Sequence, residues 1–384
     1  MTSLVAIPLD DPRIMVRGAL GARRDAQSLT PSRLPPWTQP RWPGPAFALM
    51  AGMTSGVRLD FVTNSPVWEV DVLETGLRFD GEARRLATVD VFSNGVLMSR
   101  DLTNGHTIEV GEGPPRFSEG RSETLRFDLG PGEKRVEAWL PQSALTEVRG
   151  FRLEVGAGLA PPPEGAKRWA HYGSSISHGM EAAGPSRTWP ALVARRAGVD
   201  LLNLGMAGEC HLDGFVARVL GDASADLISL KLGANVVAAD TLRQRTFSSV
   251  VHTFLDLLRM GAPTTPVLVV SPIHCPFVEA APGPIRRLVG GGYEAQARPH
   301  GRADGALTAP DVRRLLAEIV AQRRASGDAA LAIIDGTALF SAQDVADMPD
   351  QLHPNARGHE TLAARFFDTA FQSGLLPGPR AFSS

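Results

Sequence analysis

The sequence predicts an α/β fold with a parallel sheet carrying helices on both faces, preceded by an all-β sandwich of jelly-roll-like type. Three observations predict it: a first half of short alternating strands, a run of three prolines at 161–163, and a second half in which apolar runs alternate with helical stretches. The 384 residues are ample for two domains. Residues 1–50 read as a Pro-rich extended lead-in, since PSRLPPWTQPRWPGPA at 31–46 holds six prolines in sixteen residues, a density that forbids helix. Residues 51–160 read as the sandwich. There GVRLDFVT, VWEVDVLE, TVDVFSNGVLM, ETLRFDL and KRVEAWL alternate with period two, Asn94-Gly95 marks a two-residue hairpin, and FRLEVGAG at 151–158 is the expected last strand. Residues 161–166 form a stiff linker.

From 167 to 384 the pattern changes. WAHYGSS, LLNLG, LISLKLG, PVLVVSPIH and LAIIDG are near-continuous apolar runs, and TWPALVARRAG, FSSVVHTFLDLLRMG and APDVRRLLAEIVAQRRASG carry helical spacing between them. Five strands alternating with helices imply a parallel sheet, and in such sheets sites form at the carboxyl ends of the strands.

Composition narrows the chemistry. A formal net charge of −2 provides no positive field for nucleic acid or an anionic membrane. Two cysteines, Cys210 and Cys275, make neither a disulfide framework nor a metal-ligand spacing, so no metal is expected. The start MTSLVAIPLDDPRIMVRG lacks a signal-peptide core, and no apolar stretch approaches the roughly 20 residues that span a bilayer. The expectation is a cytoplasmic protein with no membrane partner. Only three of the 39 basic residues are lysine, and with abundant Ala, Gly and Pro this suggests a GC-rich genome such as an actinomycete's.

Four segments follow the apolar runs. Gly173-Ser174-Ser175-Ile176-Ser177 places a serine on a strand-to-helix turn, where its hydroxyl is little shielded. Asn203-Leu204-Gly205-Met206-Ala207-Gly208 lets a backbone N–H approach closely, and Gly233-Ala234-Asn235 offers a side-chain amide donor. Asp350-Gln351-Leu352-His353-Pro354-Asn355 sets a carboxylate three residues before an imidazole, which it can hold in one tautomer. Each segment taken singly also reads as a turn, a helix cap or a surface histidine. Their order and their placement at strand ends favour a single site.

These blocks resemble the SGNH hydrolase superfamily, the GDSL esterases and lipases, over residues 167 to about 378. The resemblance implies a flavodoxin-like three-layer α/β/α domain in which Ser175 is the nucleophile, His353 the general base and then acid, and Asp350 the residue orienting His353. Ser175, Gly208 and Asn235 would form the oxyanion hole. Ser174 stands where the family's name motif has Asp, and Val236 where many members have Asp.

The family implies an acyl-serine enzyme with no bound cofactor, acting on a small-molecule ester or thioester. A sandwich joined to such a domain is similar to several carbohydrate esterases, in which the sandwich resembles a carbohydrate-binding module. Without an export signal, an O-acyltransferase is the preferred expectation, with acyl-CoA as co-substrate and a glycosylated natural product as acceptor. The layout resembles GDSL-type acyltransferases of actinomycete polyketide tailoring, which move a salicylyl group to a sugar hydroxyl of a tetracycline glycoside. A carbohydrate esterase or acetylesterase is the alternative, and a binding module with a dead esterase site a third reading. The intact set of Ser175, Gly208, Asn235, Asp350 and His353 argues against the last.

The Gly- and Arg-rich segment 277–308 reads as a loop able to close over substrate, with Arg286, Arg287 or Arg298 meeting phosphates. His178, His211 and His274 are further candidate substrate-binding residues. Cys275 is disfavoured as a nucleophile because no His and acid accompany it. Trp68 and Trp139 lie in alternating strands and are expected in the core, while Trp37 and Trp42 are candidates to stack on sugar.

Overall fold

The computed structural model describes residues 3–111, 113–288, 292–296 and 305–376. The chain divides into two compact units, the first comprising Met1–Gln39, Ala48–Gly165 and Gly184–Ser186, the second Pro40–Phe47, Ala166–Ala183 and Arg187–Ser384.

The first unit is a β-sandwich. One sheet has eight strands, with Val67–Phe79 and Ala144–Glu154 paired at its centre, and the other has six, with Arg58–Thr63, Lys134–Trp139, Ala87–Ser93 and Val96–Leu102 in a row. Pairing is antiparallel except that His106–Val110 runs parallel to Val67–Phe79. Period-two alternation places one side of each strand in a shared core, where Trp68, Phe61, Phe127 and Phe151 meet with ring centroids 4.9–5.4 Å apart. Trp139 is buried as well. The Asn94-Gly95 turn joins Ser93 to Val96 as the sequence predicts.

Residues 1–50 are not an extended lead-in. Leu4–Ala6, Met15–Arg17, Gly21–Arg24 and Leu29–Ser32 are strands of the sandwich, Pro36–Arg41 is a 3-10 helix and Pro45–Gly52 an α-helix. Proline is disfavoured in an α-helix interior but is tolerated at the first helical position, which Pro36 and Pro45 occupy, and the short 3-10 helix also holds Pro40 within it. Pro31 is accommodated because its strand pairs with Ala144–Glu154 only at Leu29. Trp42 falls with the second unit, where it contacts Phe47 at 5.9 Å, while Trp37 remains exposed in the first. The expected last strand at 151–158 is instead the end of Ala144–Glu154, and Leu159–Ala160 follows it in the other sheet.

The second unit is a three-layer α/β/α domain. Its strands β1 (Arg168–Gly173), β2 (Asp200–Gly205), β3 (Leu227–Lys231), β4 (Val267–Val270) and β5 (Leu331–Ile334) form a wholly parallel sheet in the order β2-β1-β3-β4-β5. Its main helices are α1 (Ser175–His178), α2 (Trp189–Ala197), α3 (Gly214–Asp222), α4 (Ala234–Ala239), α5 (Gln244–Gly261), α6 (Ala309–Ala325) and α7 (Ala356–Phe367). Side chains alternate across a strand, so Trp169 and Tyr172 of β1 leave opposite faces. Trp169 stacks on Phe366 of α7 at 5.5 Å, and Tyr172 stacks on Phe254 of α5 at 5.6 Å. The two helices therefore cover opposite faces of the sheet. The strand order reverses at β1, and the loops leaving β1 and its neighbours β2 and β3 carry the Ser, Gly and Asn segments.

Candidate active site

Ser175 is the first residue of α1, directly beyond β1, and its N–H is one of the first-turn amides that a helix leaves without an internal acceptor. The turn is held from below. Ser177 Oγ lies 2.7 Å from His171 Nε2, whose Nδ1 is 2.7 Å from Ser229 Oγ, and Trp169 Nε1 donates to the same Ser229 oxygen at 2.8 Å. Burial, reinforced by the nearby Lys231 charge, lowers the His171 pKa to about 3, so this imidazole is neutral.

The Asn203 side chain clamps the turn to β2, donating to Ser177 O at 2.9 Å while its Oδ1 accepts from the Gly205 N–H at 3.0 Å. A Cβ on Gly205 would lie 2.3 Å from His178 N and 2.5 Å from Ser177 C, both backbone atoms that cannot swing aside. On Gly173 it would lie 2.3 Å from Ser177 Oγ, which can rotate away by giving up its bond to His171, and 2.9 Å from Ser177 Cβ, so the backbone must yield less than for Gly205. Gly205→Ala is therefore expected to displace the nucleophile turn and slow fluorophosphonate labelling of Ser175 well beyond Gly173→Ala, with roughly 1–3 kcal/mol of overpacking in either variant. Labelling rates and thermal melts of the two proteins check the order.

Asp350 and His353 sit in the loop before α7, whose cap Asn355 accepts the Gly358 N–H at 3.0 Å. His353 Nε2 is 2.9 Å from Ser175 Oγ, and His353 Nδ1 is 2.7 Å from Asp350 Oδ2. Asp350 Oδ1 accepts the backbone N–H groups of His353 at 2.7 Å and Leu352 at 2.9 Å. Burial pushes the Asp350 carboxyl up, but the hydrogen bond and charge of His353 together with these two amides outweigh it and hold the pKa at about 2. A carboxylate ionised and fixed in this way keeps the proton on Nδ1, leaving Nε2 able to accept one from Ser175.

Gly208 lies in the loop after β2 and Asn235 in the first turn of α4, and both segments are braced by other side chains. Gly208 has φ +75°, a left-handed conformation that favours glycine. His211 Nε2 lies 3.0 Å from Gly208 O, and its Nδ1 lies 3.1 Å from Thr241 Oγ1, so His211 supports that loop. The Asn235 Oδ1 accepts the Cys210 N–H at 3.1 Å, which leaves the NH₂ end of Asn235 to donate elsewhere. Among the described residues, no group of three or more His, Cys, Asp or Glu is placed to hold a metal ion. Burial pushes both thiols, Cys210 and Cys275, up to about 12, which makes them poor nucleophiles.

Comparison with known proteins places this geometry. The model of the GDSL-like lipase/acylhydrolase family matches residues 166–277. The salicylyl-acyltransferase SsfX3 from a tetracycline biosynthetic pathway is 30% identical, with 98% of this chain and 99% of that one covered at a TM-score of 0.83. This chain belongs to the GDSL family. It is an enzyme of the SGNH type. A protein of Bacteroides ovatus described as a GDSL-like lipase is 17% identical over 97% of this chain and 98% of its own, with a TM-score of 0.68. A family two carbohydrate esterase from Cellvibrio japonicus is 14% identical over 98% and 100%, with a TM-score of 0.61. Both share the two-part fold. No curated protein matches the chain by sequence.

Within this GDSL enzyme the two departures from the family motif are buried, Ser174 beside the nucleophile and Val236 inside α4. The other candidate substrate-binding residues scatter. His178 closes α1 fully buried, with its backbone against Gly205, and is out of reach of a substrate in this conformation. His274 Nδ1 pairs with Glu279 at 3.5 Å. Segment 277–308 contains a hairpin, Ile285–Arg287 with Tyr293–Ala295, in which Arg286 Nε bonds Glu294 at 2.5 Å and the Arg287 guanidinium lies 6.0 Å from the Tyr293 ring. Arg298, Gly290 and Gly291 lie outside the described residues. The hairpin instead contributes Tyr293, whose ring stands edge-on to His353 at 5.8 Å. Sequence reasoning missed it, although an aromatic directly after three glycines was a visible signal. Asn203, His171 and Gly205 were missed as supports of the nucleophile because their roles depend on contacts between strands.

Proposed function

We propose that this enzyme transfers acyl groups through an ester on Ser175 and that its activity is O-acylation of a sugar hydroxyl on a glycosylated small molecule, with an acyl-CoA thioester as donor. The observation that carries the serine chemistry is the unbroken relay from Ser175 Oγ through both nitrogens of His353 to Asp350, with both hydrogen bonds under 3 Å. Ser175 Oγ attacks the thioester carbon as its proton passes to His353 Nε2. The oxyanion is met by the N–H groups of Ser175 and Gly208 and the NH₂ of Asn235. Collapse breaks the C–S bond, and the proton on His353 goes to the departing thiolate. The acceptor hydroxyl then attacks the acyl carbon as its proton passes to His353, and the second collapse breaks the bond to Ser175 Oγ while His353 returns that proton to it.

Transfer rather than hydrolysis is supported by the full-length likeness to an acyltransferase at 30% identity. The test loads the protein with acetyl- or aryl-CoA and follows acyl-Ser175 by intact mass. A glycosylated acceptor is expected to shorten the lifetime of the adduct well below its value in water alone. If water clears it equally fast, the transferase reading is lost and ester hydrolysis takes its place.

A further inference from the structure

An unexplained group in the second unit is Lys231, the last residue of β3. It is fully buried, and among the described residues its ammonium has no hydrogen-bond partner. A lone buried cation is costly, because it surrenders hydration and gains no acceptor. The neighbouring charges do not compensate. Desolvation lowers the Lys231 pKa to about 8; Cys210 and Cys275 beside it are thiols that stay neutral, and Arg313 repels it. Arg313 itself is engaged by Glu279 at 2.6 and 2.9 Å, so that carboxylate is already committed.

Lys231 also lines a partly open, mainly apolar cavity of about 30 Å³. Ile176, Ala234 and Leu352 line it too, the immediate chain neighbours of Ser175, Asn235 and His353, with Val237, Pro272 and Val278 completing much of the wall. The cavity wall is thus built from the chain neighbours of three of the groups that would act at the acyl carbonyl. A void of roughly 10–15 Å³ on this measure holds one water, so it has room for the tail of a short acyl group.

We infer that this cavity is the acyl pocket and that Lys231 is its specificity-determining residue, selecting acyl groups whose tail carries an acceptor or anionic oxygen. The inference rests on the acyl-Ser175 reading. An apolar tail fills the cavity but leaves the ammonium unpaired; a tail oxygen supplies the acceptor the protein itself does not provide.

The probes are an isosteric pair of p-nitrophenyl esters, butyrate and methoxyacetate, which differ by one oxygen in place of one methylene. Each kcat/KM is divided by the ester's own alkaline hydrolysis rate, which removes the difference in carbonyl reactivity. The wild-type enzyme is expected to prefer methoxyacetate by roughly tenfold or more after this correction, the scale of a hydrogen bond to a charged group. Lys231→Met, which removes the ammonium at similar volume, is expected to erase the preference. A corrected wild-type ratio at or below one overturns the inference without any variant. An equal loss on both esters in Lys231→Met also overturns it, because the lysine would then be structural. Turnover that persists in Ser175→Ala would instead defeat the acyl-serine reading, so the two failures are distinguishable.

Discussion

Ser175→Ala is expected to abolish turnover of an activated ester or thioester, lowering kcat by about 10⁶-fold, the scale seen when a serine nucleophile is removed from an intact relay. Neither the neighbouring serines nor the two thiols can replace it. Ser174 is buried, and the Ser177 hydroxyl is held by His171 at 2.7 Å. The thiols of Cys210 and Cys275, raised to about 12, are almost entirely protonated at neutral pH. The fold should survive, because the hydroxyl's contact is to His353 rather than to the core. Steady-state kinetics and intact mass after fluorophosphonate treatment check the prediction together. A variant that keeps wild-type rate, or still takes up one equivalent of label, would remove Ser175 from the chemistry.

The catalytic unit was legible because its signals are local. Each apolar run found in the sequence is a strand, and LLNLG and LISLKLG overlap β2 and β3 almost residue for residue, since a parallel strand buried on both faces needs continuous apolar character. The N-terminal segment was misread for an equally local reason. Proline density was taken to forbid helix, but Pro36 and Pro45 each open one, and whether a proline opens or breaks a helix depends on its position relative to the helix start. The strands at Leu4–Ala6 and Met15–Arg17 are three residues long and pair with partners far along the chain, so no alternating pattern announces them.

Within the site, Ser175, Asp350 and His353 came from motifs, and the structure brings their reacting atoms within 3 Å. The residues that fix them in place did not. His171 and Asn203 sit mid-strand, where the sequence shows only a polar interruption in an apolar run; their value comes from Ser177 being delivered opposite them by the next turn. Lys231 is the same case at the end of β3. A lysine in LISLKLG reads as the solvated end of a strand, and only the completed sheet shows that it is buried with no hydrogen-bond acceptor for its ammonium among the described residues.

Asp350→Asn is expected to lower kcat by about 10⁴-fold although it changes one atom, and the hydrogen bonds of this loop explain why. The Oδ1 position accepts two backbone N–H groups, those of His353 and Leu352, so in the variant the amide oxygen must stay there. The amide NH₂ is then fixed opposite His353 Nδ1, where the wild type has a carboxylate oxygen at 2.7 Å. A donor facing Nδ1 requires that nitrogen to be unprotonated, which moves the ring proton to Nε2. Nε2 then cannot accept the proton of Ser175. Asp350→Ala leaves both tautomers open and should be no worse than Asp350→Asn, the reverse of an order set by side-chain size. The carboxylate's stabilising effect has its own pH signature. With a folded pKa of about 2 against an ordinary 3.8, it is fully present above pH 3.8 and is lost as pH falls through about 2, so the melting temperatures of wild type and Asp350→Asn should converge in acid. Kinetics of the two variants at neutral pH decide the tautomer argument. If Asp350→Asn keeps a tenth of the wild-type kcat, Asp350 does not set the tautomer of His353, and the two backbone amides serve only to shape the loop.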